Sequence, residues 1–245
     1  MRVTVWNEFV QERRPDDPAH AVYPGGIHVA LARGLAACAG CTVRTATLDE
    51  PEHGLTQDVL DTTDVLFWWA HLAHAAVDDA VVERVERAVH AGMGLVLLHS
   101  ALDSKVFRRL LGTVSGLHGW RHGDRETMWT VTPSHPIARG VPQPLVLAHQ
   151  EMYAEPFNIP RPDDIVFISS YSGGEVLRSG VTFTRGLGRI FYFAPGHEEY
   201  PVYENPAVVR ILCNAAQWAA RPEGLPAFGD TYGSQQRAEG WIEAS

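Results

Sequence analysis

Val65-Leu66-Phe67-Trp68-Trp69, then Val77 to Ala91, then Leu95-Val96-Leu97-Leu98: this succession decides the fold. The first and last are continuous apolar runs of strand length. Between them Val81, Val82, Val85, Ala88 and Val89 recur at helical spacing, with Glu83, Arg84, Glu86 and Arg87 on the other face. Strands without polar alternation are buried on both sides, so strand, helix, strand at these lengths predicts a parallel sheet covered by helices on both faces. The right-handed crossover rule fixes the hand of each unit.

The same alternation extends outward. Val3 to Trp6 is a short β run, Ile27 to Ala37 a helix after a polar, Pro-bearing loop, and Thr42 to Thr47 a β-branched strand. Ser104 stands at the N-cap position of a helix over Lys105 to Leu111. Past Thr113 come short β-like runs separated by Pro/Gly turns: Met128 to Thr132, Leu145 to Leu147, Ile165 to Ser169, Val176 to Leu177 with Val181 to Thr184, and Ile190 to Phe193. A helix over Pro206 to Ala219 closes one domain, residues 1–220. Residues 221–245 read as an extension, suited to an arm exchanged in a homo-oligomer.

Composition excludes several classes. The 245 residues carry 29 Asp+Glu against 20 Lys+Arg, a net charge of −9, without the basic block that a phosphate backbone needs. No apolar run is long enough to cross a membrane. The N-terminus enters a strand pattern at once, with no signal-peptide core. Three cysteines cannot make a disulfide framework, so a cytoplasmic protein is expected. Twelve histidines are an unusually rich supply of imidazole.

In an open parallel sheet, ligands bind beyond the carboxyl ends of the strands. There the chain places Asn7 and Glu8, His28 at a helix start, His71 and His74, His99 and Ser100, and His197-Glu198-Glu199. His149, Glu151 and Tyr153 join them if the strand before them is parallel; the second-half strands could also be antiparallel. One strand-end histidine is ordinarily a structural residue paired with backbone. Several on one edge beside carboxylates suit a divalent metal, and three protein ligands with an open position make a catalytic site. The candidate ligands are His28, His71, His74 and His99.

Other residues carry two readings each. Ser100 follows a buried strand and precedes a helix, as a nucleophile at an elbow would, with His197 as base, but Leu98-His99-Ser100-Ala101-Leu102 lacks the flanking glycines. Trp69 belongs to the sheet core or stacks on a sugar. Trp120 and Trp129, with Arg121, His122, Asp124 and Arg125 between them, line a carbohydrate pocket or form a solvated loop. Cys38-x-x-Cys41 follows a helix instead of opening it, so its thiols are not activated by the dipole; core packing is expected, as for Cys213.

The runs Val3-Thr4-Val5-Trp6-Asn7-Glu8, Tyr23-Pro24-Gly25-Gly26-Ile27-His28, Thr45 to Leu55, Gly94 to Ser100, Ser134-His135-Pro136-Ile137-Ala138-Arg139-Gly140, Glu151-Met152-Tyr153-Ala154-Glu155 and Phe193-Ala194-Pro195-Gly196-His197-Glu198 resemble the ThuA-like (trehalose-utilisation) family. The resemblance spans roughly residues 2 to 219. It implies a three-layer α/β/α sandwich with a mostly parallel, flavodoxin-like sheet, of the class I glutamine amidotransferase-like superfamily. Amidotransferases carry a cysteine at the elbow; here it reads His99-Ser100, which argues against glutaminase chemistry. His197 matches the downstream histidine, and Ala70 replaces an expected glycine.

The resemblance further implies catabolism of trehalose-type disaccharides beside an oxidoreductase that makes 3-keto sugars. A 3-ketone acidifies the C2 hydrogen, so Glu151, Glu198 or His197 would act as base and a bound Zn or Mn ion would stabilise the enolate. Asn7, Glu8, Trp69, Tyr153 and Trp120 would contact the sugar. Two rivals stay open: a non-catalytic sugar-binding or regulatory protein on the same scaffold, and a serine hydrolase using Ser100.

Overall fold

The computed structural model describes residues 1–221. Its first half alternates as expected: β1 (Arg2–Asn7), α1 (Pro18–Val22), α2 (Ile27–Ala36), β2 (Thr42–Thr47), α3 (Gln57–Asp61), β3 (Val65–Trp69), α4 (Asp79–His90), β4 (Gly94–Leu98) and α5 (Lys105–Leu111). Five further strands follow: β5 (Gly119–Thr130), β6 (Leu145–Ala154), β7 (Asp164–Tyr171), β8 (Val176–Arg185) and β9 (Gly188–Phe193). The helix α6 (Pro206–Ala219) closes the domain. The proposed arm beyond residue 221 lies outside the described residues.

These strands make one sheet in the order β2-β1-β3-β4-β9-β8-β7-β5-β6. From β2 to β9 every pairing is parallel; from β9 to β6 every pairing is antiparallel. Successive residues of β3 point to opposite faces. Val65, Phe67 and Trp69 pack with α2 and α6, while Leu66 and Trp68 pack with α4 and α5. Trp68 stacks on Trp6 at 3.9 Å between centroids. Burying each such side chain contributes about 1.5–3 kcal/mol, so an apolar run with no polar alternation is what a strand covered on both sides requires.

Helix ends follow local chemistry. The Ser104 hydroxyl accepts the amide hydrogen of Phe107 at 3.1 Å, and Asn205 caps α6 by accepting from Ala207 at 2.9 Å, ahead of Pro206.

Two expectations need correction. Trp120 to Arg125 is not a solvated loop but the first half of the 12-residue β5. Likewise β6 runs on past Leu147, so His149, Glu151 and Tyr153 lie within a strand, not after one. Pairing supplied by the partner strand overrides the weak local signal of these polar residues. Cys38 packs in the core as expected, with Cys213 against it, but the two are also disulfide-bonded, Cys38 beyond α2 to Cys213 in α6, across 175 residues of sequence. Local spacing could not reveal that pair, and the cysteine count no longer argues for a reducing compartment. Among the described residues no helix is long and apolar enough to cross a membrane.

Candidate active site

The carboxyl ends of β3, β4 and β9 lie side by side, and each delivers an imidazole. His71 follows β3, His99 follows β4 and His197 follows β9. Their rings lie 5.4 to 6.4 Å apart between centroids. Over them folds the free half of the β5–β6 ribbon. It pairs Trp120 with Tyr153 and Arg121 with Met152, beyond the reach of β7. A bulge between Arg121 and Asp124 contains Gly123 at φ +73°, a left-handed conformation suited to glycine. This irregularity re-aims His122, whose Nε2 lies 3.3 Å from Glu151 and whose ring is 4.6 Å from that of His197.

His99 occupies the strained position of the elbow, at φ +50°. It is fully buried. Tyr192 donates to its carbonyl at 3.0 Å, and Nδ1 donates to the carbonyl of Ala194 at 2.8 Å. That leaves Nε2 facing Glu151 Oε2 at 3.1 Å and the Tyr153 hydroxyl at 3.2 Å. Glu151 Oε2 is nevertheless not aligned to accept from the ring and has no other partner. Two facing lone pairs at this distance call for a proton or a cation between them.

A second imidazole–carboxylate pair sits beside the first. His71 Nδ1 lies 3.0 Å from Glu198 Oε1 and 2.8 Å from Gln11 Oε1, while Gln11 Nε2 donates to Glu198 at 2.8 Å. Burial opposes both charges, but the contact with His71 outweighs it and holds Glu198 down at about 2. Burial likewise pulls His71 down, but the hydrogen bond and charge of Glu198 outweigh it and raise the ring above its ordinary value. Glu151 is lowered as well: burial would raise it, and the imidazoles of His99, 3.1 Å away, and His197 outweigh that. His197 is pushed down to about 4 by burial first and by the neighbouring His99 second.

His99, Glu151 and His197 offer ligand atoms within 4.8 Å of one another and so could hold a metal ion; His122, His197 and Glu199 form a second, more exposed group. The inner set fits a divalent cation. Nδ1 of His99 is engaged with backbone, which leaves Nε2 as the ligand atom, and Glu151 Oε2 and His197 Nε2 are buried without hydrogen-bond partners. One adjustment is needed. His197 Nδ1 accepts from the amide of Glu199 at 3.2 Å, so in the neutral ring the hydrogen rests on Nε2 and must move to Nδ1.

His28 and His74 stand apart from both groups. His28 is buried against Asn7, at 3.2 Å, and Phe9. His74 is pushed down to about 4 by burial, with Nδ1 unpartnered. His71 contributes to neither group and pairs with Glu198 instead.

Several other candidates prove to be scaffold. The amide of Asn7 donates to Glu12 at 2.6 Å, and the Glu8 carboxylate accepts from the amides of Leu72 and Ala73 at 2.7 and 2.9 Å. Trp69 is wholly buried, so its ring cannot stack on a sugar. Ser100 lines the cleft, but it gives its hydrogen to the carbonyl of Ala70 at 2.6 Å, so its hydroxyl is paired with backbone and not with a base. His149 lies on the exposed side of β6, beside Tyr200.

Nothing in the sequence singles out Gln11 or Gln150, and His122 stands out there only as one of the residues between Trp120 and Trp129. Gln150 is fully buried and its Oε1 accepts from the amides of Glu151 and His197. Only the Gly123 bulge signal, a glycine inside a strand pattern, points to His122 as a site residue. A cleft of about 450 Å³ opens here, lined by His71, Ser100, Asp103, Trp120, His122, Glu151 and Tyr153 among others.

Comparison with known proteins places this geometry in a family. A model described as ThuA, trehalose utilisation, matches residues 2–219. Among solved structures, a ThuA-like protein of Parabacteroides merdae is 17% identical with a TM-score of 0.65, covering 92% of this chain and 93% of its own. A cytoplasmic protein of Salmonella typhimurium is 15% identical with a TM-score of 0.61, covering 91% and 100%. A GMP synthase subunit from Thermoplasma acidophilum is 12% identical with a TM-score of 0.55, covering 89% and 92%. At these identities the likeness shows the fold: mixed α/β with a mostly parallel central sheet, shared with amidotransferases. No curated protein matches the sequence.

Proposed function

Because the chain belongs to the ThuA family, described by trehalose utilisation, we propose that it is an enzyme of disaccharide catabolism. It cleaves the 3-keto derivative of a trehalose-type glycoside by elimination and rehydration. The observation that carries this reading is one cleft lined by both a buried carboxylate, Glu151, and an imidazole, His71, whose ring is raised above its ordinary value by Glu198.

Glu151 takes the hydrogen from C2, which the neighbouring ketone acidifies. The electron pair becomes the C1–C2 double bond as the bond from C1 to the glycosidic oxygen breaks. His71 gives its proton to that departing oxygen. Water then adds: its hydroxyl joins C1, its remaining proton returns to His71, and Glu151, its proton exchanged with solvent in the open cleft, delivers hydrogen to C2. The net change is hydrolysis, with both groups regenerated. A Zn- or Mn-type cation held by His99, Glu151 and His197 would supply a Lewis acid for the enolate oxygen. The substrate would be the product of a sugar oxidoreductase.

The test is turnover of 3-keto-trehalose in deuterated water, followed by mass spectrometry of the released 3-keto-glucose. One deuterium at C2, gained faster than by uncatalysed exchange, and a loss of about 100-fold or more in Glu151→Gln are expected. Turnover without deuterium rejects the elimination route. No turnover with sugar binding retained leaves a binding protein.

A further inference from the structure

The cleft holds more than the acid and base require. At its buried end are Glu151 and Tyr153; at its mouth Trp120 is 66% exposed and the Asp103 side chain 51%. Pockets of roughly 300–1,000 Å³ hold ligands of drug size, so about 450 Å³ leaves room beyond one pyranose ring placed between Glu151 and His71.

The mouth has a divided character. Trp120 presents a broad aromatic face that no described ring covers by stacking: its neighbour His122 is 5.3 Å away and tilted by 58°. Leu102 and Leu117 add apolar surface to the same cavity. Asp103 is loosely held, with Arg108 at 3.8 Å and the Ser115 hydroxyl at 3.4 Å, so its oxygens can accept further hydrogen bonds. A pyranose has the matching split surface, with carbon-bound hydrogens on its faces and hydroxyl donors around its rim.

We propose that Trp120 and Asp103 form a subsite for the leaving group, a second and unoxidised pyranose, which makes the protein selective for disaccharides over simple alkyl glycosides. The subsite rests on the assignment of Glu151 and His71 as the reacting pair. Trp120 stacks on the ring face and Asp103 accepts from its hydroxyls. Neither residue takes part in proton transfer.

The experiment compares kcat/KM for 3-keto-trehalose with that for methyl 3-keto-glucoside. Trp120→Ala is expected to lower the ratio of the two about tenfold, with Trp120→Phe recovering most of it, and Asp103→Asn to lower it about threefold. A ratio unchanged within about twofold in Trp120→Ala and Asp103→Asn overturns the proposal. If neither substrate is turned over, the assignment of the reacting pair fails instead. Calorimetric titration with trehalose then decides the subsite alone. Affinity weakened about tenfold by Trp120→Ala supports it; unchanged affinity, or no binding by the unmodified protein, rejects it.

Discussion

The indole Nε1 of Trp69 donates to the carbonyl oxygen of Gly196 across 3.1 Å, tying the end of β3 to the turn that delivers His197. Gly196 itself sits at φ +141°, and a Cβ at this position would run into the Tyr203 hydroxyl. The turn is therefore gripped from two sides, by an indole and by a phenol. An aromatic residue at a strand end positions the site here without touching a ligand.

Gly196→Ala is expected to destabilise the fold by more than about 2 kcal/mol, because the new methyl meets a buried hydroxyl and the backbone is strained for any side chain. Trp69→Phe keeps most of the packing and strands one buried carbonyl, a loss of about 1–3 kcal/mol. Urea unfolding midpoints at constant m-value measure both.

Ser100→Ala is expected to lower stability by about 1–3 kcal/mol, since the Ala70 carbonyl loses its 2.6 Å donor. Turnover per folded molecule should be unchanged. Activity abolished in a folded Ser100→Ala protein would restore the hydrolase reading.

The His71–Glu198 pair makes stability depend on pH in a defined window. Glu198 is depressed from 4.5 to about 2, so its contribution is complete above about 4.5 and disappears as pH falls through about 2. His71 is raised above 6.5, so its contribution is complete below about 6.5 and is lost as pH climbs through the higher folded value. The stability gap between unmodified protein and Glu198→Gln should be widest between about pH 5 and 6.5, by these directions, and should shrink on both sides. A flat gap from about pH 3 to 9 would contradict the pairing.

A different carboxyl responds in the opposite sense. Glu126 is fully buried in β5, accepts from the Ser169 hydroxyl, and is pushed up from 4.5 to about 7 by burial. Its charged form is disfavoured in the folded state, so stability falls as pH rises from about 4.5 through about 7 and levels off above that. Glu126→Gln should match the unmodified protein near pH 5 and exceed it by a few kcal/mol at about pH 8. Thermal melts across that range decide it.

Zinc or manganese ions should raise the melting temperature, with the increase growing with concentration, as any ligand of the native state does. His99→Ala should remove that increase. If metal leaves the melting temperature unmoved, the inner group holds a proton rather than a cation.

The fold was legible because its signals are local. The apolar runs Val65 to Trp69 and Leu95 to Leu98, the valines of α4 and the cap at Ser104 each act within a few residues, and each element formed where its pattern stood. Longer-range features were not legible. β5 and β6 are polar strands whose length comes from pairing with each other, and Cys38 and Cys213 are joined only because α2 and α6 lie on the same face.

The sequence by itself determined the parallel first half of the sheet, its helical cover and the place of His71 and His99 just past strand ends, since hydrophobic periodicity and the carboxyl-end rule suffice for that. Tertiary structure alone decided what those groups do. A bulge at Gly123 sets His122 against Glu151, an antiparallel ribbon carried Glu151 to within 3.1 Å of His99, and Gln11 came to bond both His71 and Glu198. The reason is physical: hydrophobic periodicity is read one element at a time, whereas a proton's affinity depends on which charge and which hydrogen bond end up a few ångströms away.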